Sequence, residues 1–191
     1  MLVDSHCHLD FPDFAHERDE VLKRARAAGI GHFLTIGTGL SRFPTVRAIA
    51  ESAHDIHCTV GVHPHEAEGE TLNGPEALLK EATHPKVVGF GETGLDYYYN
   101  HSPREPQIAD FRAHIAAARM ADLPLVVHTR DADDDTIAIL QEEYAKGAFR
   151  GVIHCFTGTP RLARAALDLG FFISVSGIAT FKKSDELRAT I

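Results

Sequence analysis

The sequence lacks the features of membrane and secreted proteins. It contains no run of about 20 apolar residues, and no basic segment followed by a long apolar stretch opens it. We therefore expect no membrane span and no signal peptide. Its cysteines are few, odd in number and widely spaced, at Cys7, Cys58 and Cys155, which indicates reduced thiols and not a disulfide framework. These absences predict a cytoplasmic protein.

Positive charge is also scarce. Nineteen lysines and arginines face 27 aspartates and glutamates, for a net charge of −8. This balance disfavours a surface that holds nucleic acid by charge alone. A phosphate substrate remains compatible with it, because bound divalent cations reverse the local sign. No linker or low-complexity tract interrupts the chain, so residues 1–191 are expected to form a single domain.

Short apolar runs rich in Val, Ile and Phe alternate with amphipathic segments, which is typical of βαβ units. The predicted strands are 1–3, 32–37, 57–62, 87–91, 124–128, 151–154 and 171–175. The predicted helices are 17–28, 44–53, 75–82, 106–121, 134–145 and 160–169, with a seventh beginning near the end of the sequence.

Two parallel folds fit this alternation, the doubly wound sheet and the (β/α)-barrel. A doubly wound nucleotide-binding sheet carries a glycine-rich turn after its first strand, where this chain has "SHCHLDF". Its histidines and carboxylates instead follow the ends of several strands, as the active site of a barrel requires. We predict an α/β fold, a TIM-type (β/α)8 barrel truncated after strand 7, without strand 8 and the last helix. An open barrel would leave two strand edges available for self-association.

The segment "DSHCHLD" places His6 and His8 two residues apart, and side chains at this spacing share one face of a strand. Glu92, His128 and His154 follow the predicted strands 4, 5 and 6. Four imidazoles and a carboxylate exceed what one catalytic zinc uses. They predict two divalent ions (Zn, Mg or Mn) bridged by Glu92. The alternative for each histidine is a buried, hydrogen-bonded residue without a metal.

Five segments, "DSHCHLDF", "GVHPHE", "GETGLDYYY", "HTRDA" and "HCFTG", resemble in their order the motifs of the TatD family of metal-dependent deoxyribonucleases, a branch of the amidohydrolase-like TIM-barrel superfamily. The resemblance implies that His6 and His8 bind the first metal, that Glu92 bridges, and that His128 and His154 bind the second. It also implies a further aspartate ligand at the end of an eighth strand, beyond residue 191.

Three residues near the predicted metals are candidates for substrate binding. His63 and His65 resemble family positions that contact substrate phosphate, and His63 is with Glu92 a predicted catalytic residue. The alternative is a turn held by Pro64. Arg130 carries a guanidinium that can bind phosphate through two N–H groups.

The alternative for Arg130 is a surface ion pair with Asp131 or Asp134. Asp96 is expected either to orient a metal ligand or to cap the following loop. The tyrosines at 97–99 fit either base stacking or packing within a lid, and the second use is favoured.

The predicted function is two-metal phosphodiester hydrolysis on DNA, as a deoxyribonuclease or exonuclease. Two alternatives remain open at this point. One is hydrolysis of small amides, lactones or phosphoesters by the same metal pair. The other is a truncated barrel that binds metal without catalysis.

Overall fold

A computed structural model describes residues 1–191, in which strands and helices alternate. The strands are β1 (Leu2–Cys7), β2 (Ile30–Thr35), β3 (Ile56–Val60), β4 (Val87–Asp96), β5 (Leu125–Arg130), β6 (Gly151–Ile153) and β7 (Phe172–Ile173). The helices are α1 (Arg18–Ala27), α2 (Phe43–Glu51), α3 (Glu76–Glu81), α4 (Arg104–Ala121), α5 (Asp133–Ala145), α6 (Pro160–Asp168) and α7 (Asp185–Thr190).

The seven strands form one sheet in the order in which they occur in the chain. Each strand pairs in parallel with the next. The order never reverses, as it would at the switch point of a doubly wound sheet. The predicted TIM-type α/β fold is therefore confirmed, as an open sheet of seven parallel strands with helical connections.

β1 and β7 lie at the two free edges of the sheet, and both carry exposed apolar side chains. Leu2 and Val3 are 62% and 55% exposed on β1, and Phe172 is 77% exposed on β7. Self-association through these edges stays a prediction, which size-exclusion chromatography over a concentration series can test. No helix is both long enough and apolar enough to cross a membrane.

The core is one cluster of 33 buried residues. Its largest fully buried side chains include Phe43, Phe90, Phe111 and Phe156. Phe43 and Phe111 come from helices, Phe90 from β4 and Phe156 from the segment after β6, as expected for parallel strands that are covered on both faces. Burial of each such side chain contributes about 1.5–3 kcal/mol. This core fixes the strands, and thereby the positions of the residues at their carboxyl ends.

β4 is twice as long as predicted, because the strand continues through Gly91 and Gly94 to Asp96. Gly91 and Gly94 adopt φ angles of +125° and +135°, which favour glycine. A Cβ atom on Gly94 would overlap the carbonyl oxygen of His128 on the neighbouring strand. The close approach of β4 and β5 therefore requires glycine, and it places Glu92 and Asp96 within the strand.

Other boundaries differ at the strand ends. β1 was predicted to end at residue 3 and runs to Cys7, so that His6 belongs to the strand. β7 was predicted over 171–175 and is limited to Phe172–Ile173. The predicted helices 17–28 and 134–145 match α1 and α5 within one or two residues.

Candidate metal centre

The carboxylate of Glu92 lies between two separate groups of histidines. Its Oε2 is 3.3 Å from Nε2 of His6 and 3.8 Å from Nε2 of His8. Its Oε1 is 3.1 Å from Nδ1 of His128 and 3.7 Å from Nε2 of His63. In each group the three donor atoms lie within 4.8 Å of one another. One carboxylate is thus shared by two potential metal sites, which is the arrangement of a bridging ligand.

This convergence follows from the parallel sheet, whose strands all end at the same face. β1 contributes His6 and leads into His8, β4 contributes Glu92, and β5 contributes His128. The short turn after β3 contributes His63. His6 and Glu92, 86 positions apart in the sequence, therefore meet at 3.3 Å at the common end of the strands.

His154 lies in the same cluster but in a different arrangement. Its ring is stacked on that of His6, with centroids 3.4 Å apart and planes 6° apart. It belongs to neither of the two three-residue groups, whereas His63 belongs to the second. The structure therefore brings together all five predicted metal ligands, and adds His63 next to Glu92.

Burial keeps most of these imidazoles neutral. It lowers the pKa of His63 to about 3 and that of His154 to about 4, and it also lowers the pKa of His8. A neutral imidazole has a free lone pair, which metal binding needs. Burial raises the pKa of Glu92, but hydrogen bonds from His128 and His6 outweigh it and hold that pKa well below its usual range.

His128 is the one imidazole in the cluster with a raised pKa. Burial lowers this pKa, but hydrogen bonds to Glu92 and Asp96 outweigh burial. Its Nδ1 faces Glu92 and its Nε2 lies 2.9 Å from Oδ2 of Asp96. The structure thus stabilises positive charge between two buried carboxylates, at a place where a metal cation would replace the proton.

Asp96 performs both of the roles considered for it from the sequence. Its Oδ2 also lies 2.9 Å from Nε2 of His65, so it orients two imidazoles. Its Oδ1 accepts the backbone N–H groups of Tyr98 and Tyr99, which caps the loop after β4. A carboxylate that holds the second nitrogen of a histidine is the usual outer partner of a metal ligand.

The tautomer of neutral His63 is set by its own turn. Its Nδ1 accepts the backbone N–H of His65 at 3.2 Å, so the proton must be on Nε2. This Nε2 is the atom that faces Glu92. His63 is therefore arranged as a hydrogen-bond donor into the site, and metal binding through Nε2 would require the other tautomer.

Arg130 forms no ion pair, so the alternative considered for it, a surface ion pair with Asp131 or Asp134, is not found. Asp134 pairs with Arg161, and Asp131 has no cationic partner. The guanidinium carbon of Arg130 lies 4.5 Å from the centroid of the Tyr98 ring. Its N–H groups remain available to an anionic group of a substrate.

Sequence analysis missed three buried polar residues on α4. Gln107 donates to the carbonyl of Asp96 and accepts its N–H. Asp110 accepts the N–H of Leu72, and Nε2 of His114 accepts that of Val62, directly before His63. The available signal was the polar residues at 107 and 114 within the apolar stripe that includes Phe111 and Ala118, since buried polar side chains need partners.

His114 provides a test of this support. Replacing His114 with leucine leaves the buried N–H of Val62 without an acceptor, at an expected cost of about 1–3 kcal/mol in the free energy of unfolding at pH 7. Burial lowers the pKa of His114 to about 4. As the pH falls from about 6.5 towards 4, the unfolded chain binds a proton that the native chain does not, and wild-type stability falls.

The leucine variant lacks this proton linkage. The stability difference between wild type and variant should therefore shrink between pH 7 and pH 5, as measured by urea unfolding at both values. A difference that stays constant would contradict the role of His114. The exposed His54 offers a matched control, because His54→Leu should change stability little at either pH.

The donor set fits divalent metals. Imidazole nitrogens suit zinc, and carboxylate oxygens also suit manganese and magnesium. Nε2 of His6 lies 3.3 Å from Nε2 of His8 and 3.3 Å from Oε2 of Glu92, and nitrogen and oxygen donors that converge in this way suit a bound cation. The residues present therefore match the chemistry of a metal centre.

Comparison with known proteins gives consistent relatives. The family model for TatD-related DNases matches residues 3–191. The uncharacterized metal-dependent hydrolase YcfH of Escherichia coli K12 is 41% identical over 193 residues, covering 98% of this chain and 71% of that protein. The 3'-5' ssDNA/RNA exonuclease TatD of Klebsiella pneumoniae strain 342 is 36% identical over 190 residues, covering 98% of this chain and 71% of that protein.

Solved structures agree with these relatives. The crystal structure of YjjV, a TatD homologue from Escherichia coli K12, superposes with a TM-score of 0.86 at 29% identity, covering 99% of this chain and 73% of that one. A hydrolase of the TatD family from Entamoeba histolytica superposes with a TM-score of 0.83 at 28% identity, covering 99% and 68%. The chain therefore belongs to the TatD family of metal-dependent hydrolases.

Proposed function

We propose that this protein hydrolyses phosphodiester bonds in DNA with two divalent metal ions. The observation that carries the proposal is the carboxylate of Glu92, whose two oxygens face separate groups of histidines. The family model is that of TatD-related DNases, and one relative is named an ssDNA/RNA exonuclease. Both support nucleic acid as the substrate.

The first set of proposed ligands follows the first geometric group, and the second set takes His154 from the family resemblance in place of His63. His6, His8 and Glu92 would hold one ion, and Glu92, His128 and His154 the other. We keep His154 in this set because its ring nitrogens have no hydrogen-bond partner in the protein, which leaves a lone pair free. His63 is kept as a donor, because its turn fixes the proton on Nε2.

Divalent cations, when bound, lower the pKa of water and neutralise the charge that develops on phosphate oxygens during hydrolysis. The residues of the chain supply the remaining functions. Nε2–H of His63 would donate to a phosphate oxygen, and Arg130 and His65 would hold phosphate at the rim. Asp96 would keep His128 in one orientation by accepting its second N–H.

Cleavage of a short DNA oligonucleotide, with and without a chelator, tests this function. We expect cleavage that a chelator abolishes and that added manganese or zinc restores. The double variant His128→Ala, His154→Ala should be inactive. Cleavage that survives chelation or persists in the double variant would rule out the mechanism. A panel of small esters, lactones and amides tests the alternative substrate class, which the net charge of −8 favours.

Single variants of His63 and His154 distinguish a donor from a ligand. We expect His154→Ala to lower the metal content measured by mass spectrometry from two ions per chain towards one. His63→Ala should retain both ions and reduce kcat by about 10²–10³-fold, the usual effect of losing one donor to a developing oxyanion. The opposite result would assign His63 to the second metal, in line with its position near Glu92.

A further inference from the structure

Two tyrosines beside the metal-ligand cluster are exposed. Tyr98 and Tyr99 are 57% and 54% exposed. Tyr97, in the same run, is held by a 2.6 Å hydrogen bond from its hydroxyl to Asp135, so the expected packing role applies to Tyr97 alone. An exposed pair of aromatic rings next to a catalytic site is typical of a surface that a ligand covers.

The position of these rings is set by the residue that orients the metal ligands. Asp96 accepts the N–H groups of Tyr98 at 3.1 Å and Tyr99 at 2.9 Å, while its other oxygen contacts His128. The ring of Tyr99 meets that of His65 edge to face, with centroids 5.6 Å apart. The tyrosines are therefore held at a fixed distance from the metal centre.

Arg130 completes this surface, which we call the aromatic shelf and define as Tyr98, Tyr99 and Arg130. The guanidinium carbon lies 4.5 Å from the ring centroid of Tyr98 and 5.9 Å from that of Tyr99. These are cation–π distances. The shelf thus combines two exposed aromatic rings with a cation that forms no ion pair.

An adjacent cleft is unsuited to a polyanion. It has a volume of about 760 Å³ and lies beside Tyr97, between the start of α5 and the segment that contains α7. Two cations line it, Arg104 and Lys183, against five carboxylates. Those carboxylates belong to Asp131, Asp133, Asp134, Asp135 and Glu186. A nucleic acid strand would be repelled there, whereas the shelf presents Arg130 next to the cluster.

We propose that the aromatic shelf binds single-stranded nucleic acid by stacking a base that adjoins the scissile phosphodiester, with Arg130 on a backbone phosphate. This inference rests on the proposed function and names its substrate subsite. Stacking needs a base with a free face, which single strands offer and duplexes do not. A protein partner that covers the same rings is the competing occupant.

Binding measured by fluorescence anisotropy tests the shelf separately from catalysis. The probe is a labelled 12-nucleotide thymidine strand with phosphorothioate linkages, which slow cleavage, and it is compared with an abasic strand of equal length. We expect wild type to bind the base-bearing strand roughly tenfold or more tightly than the abasic strand. The double variant Tyr98→Ala, Tyr99→Ala should bring this ratio close to one.

Two further variants distinguish the loss of ring stacking from a general loss of structure. Tyr98→Phe with Tyr99→Phe keeps both rings and should keep the ratio. Phe172→Ala removes an exposed ring on the far edge strand and should also keep it. Equal binding of the two strands by wild type, or a ratio that the double alanine variant leaves unchanged, would overturn the shelf and favour a protein partner.

A cleavage assay on both strands then distinguishes a wrong shelf proposal from a wrong proposed function. Metal-dependent cleavage of both strands at equal efficiency would refute the shelf and keep the phosphodiesterase. A base-dependent binding ratio in a protein that cleaves no phosphodiester would keep the shelf as a binding site and refute the proposed phosphodiesterase activity.

Discussion

Replacing Glu92 with glutamine is expected to remove both metal ions and to lower kcat/KM on DNA by roughly a thousandfold, since losing a single charge-stabilising group already costs 10²–10³-fold. Glu92 is 4% exposed, and each of its oxygens faces a different group of histidines. Glutamine has nearly the same shape, but its NH₂ group cannot accept from histidine or bind a cation. One site therefore loses its oxygen ligand, and the other keeps a neutral carbonyl oxygen, which is a weaker ligand for a divalent cation than a carboxylate oxygen.

Metal content by mass spectrometry and the thermal shift on adding zinc or manganese measure this effect. Wild type should gain thermal stability with metal, because a ligand that binds only the native state stabilises it. The glutamine variant should gain none. The exposed Glu68, which is near the site in sequence, provides the control Glu68→Gln, for which both readouts should match wild type. A glutamine variant that retains two ions would contradict the bridging role.

Replacing Gly94 with alanine should destabilise the protein by about 4 kcal/mol or more, a loss found only for severe disruptions of packing or backbone. The added Cβ would overlap the carbonyl oxygen of His128, and the φ angle of +135° disfavours any other residue. β4 and β5 would have to separate at the level of Glu92 and His128. We expect loss of cooperative urea unfolding, or a strongly reduced free energy of unfolding with weakened metal binding.

Alanine variants of two other glycines distinguish the effect of the steric overlap at residue 94 from that of backbone strain. Gly29 has a φ of +97° and open space where a Cβ would lie, so Gly29→Ala measures backbone strain alone, at about 1–2 kcal/mol. Gly177 also has open space and lies outside the left-handed region, so Gly177→Ala should be nearly neutral. If Gly94→Ala were no worse than Gly29→Ala, the close approach of β4 and β5 would not be essential.

The strand ends could be predicted because the apolar runs that mark strands stand next to residues that can bind metals. Apolar runs marked the parallel strands, and Glu92 and His128 stood at the ends of theirs, while His6 lay three residues beyond the predicted end of β1. The parallel sheet brings these three side chains together. The length of β4 was not predictable, because glycine inside a strand resembles a turn until the neighbouring backbone is known. Gly91 and Gly94 are explained only by their contacts with β5.

Side-chain orientation was the second feature of the site that the sequence could not predict. Sequence places His63 and His154 at strand ends but does not show which ring nitrogen faces Glu92. That depends on local hydrogen bonds, such as the one from the N–H of His65 to His63, and on ring packing, such as the stacking of His154 on His6. The exposure of Tyr98 was equally inaccessible, since packing and solvent-facing tyrosines have the same sequence pattern.

The polar residues of α4 have a consequence for protein engineering. Gln107 and His114 hydrogen-bond the backbone at the ends of β4 and β3, and Asp110 holds the segment near Leu72. Loops from two different strands thus depend on one helix for their shape. Exchange of either loop with that of a homologue should fail unless this helix is transferred too, so residues 60–121 form the smallest cassette for swapping substrate preference.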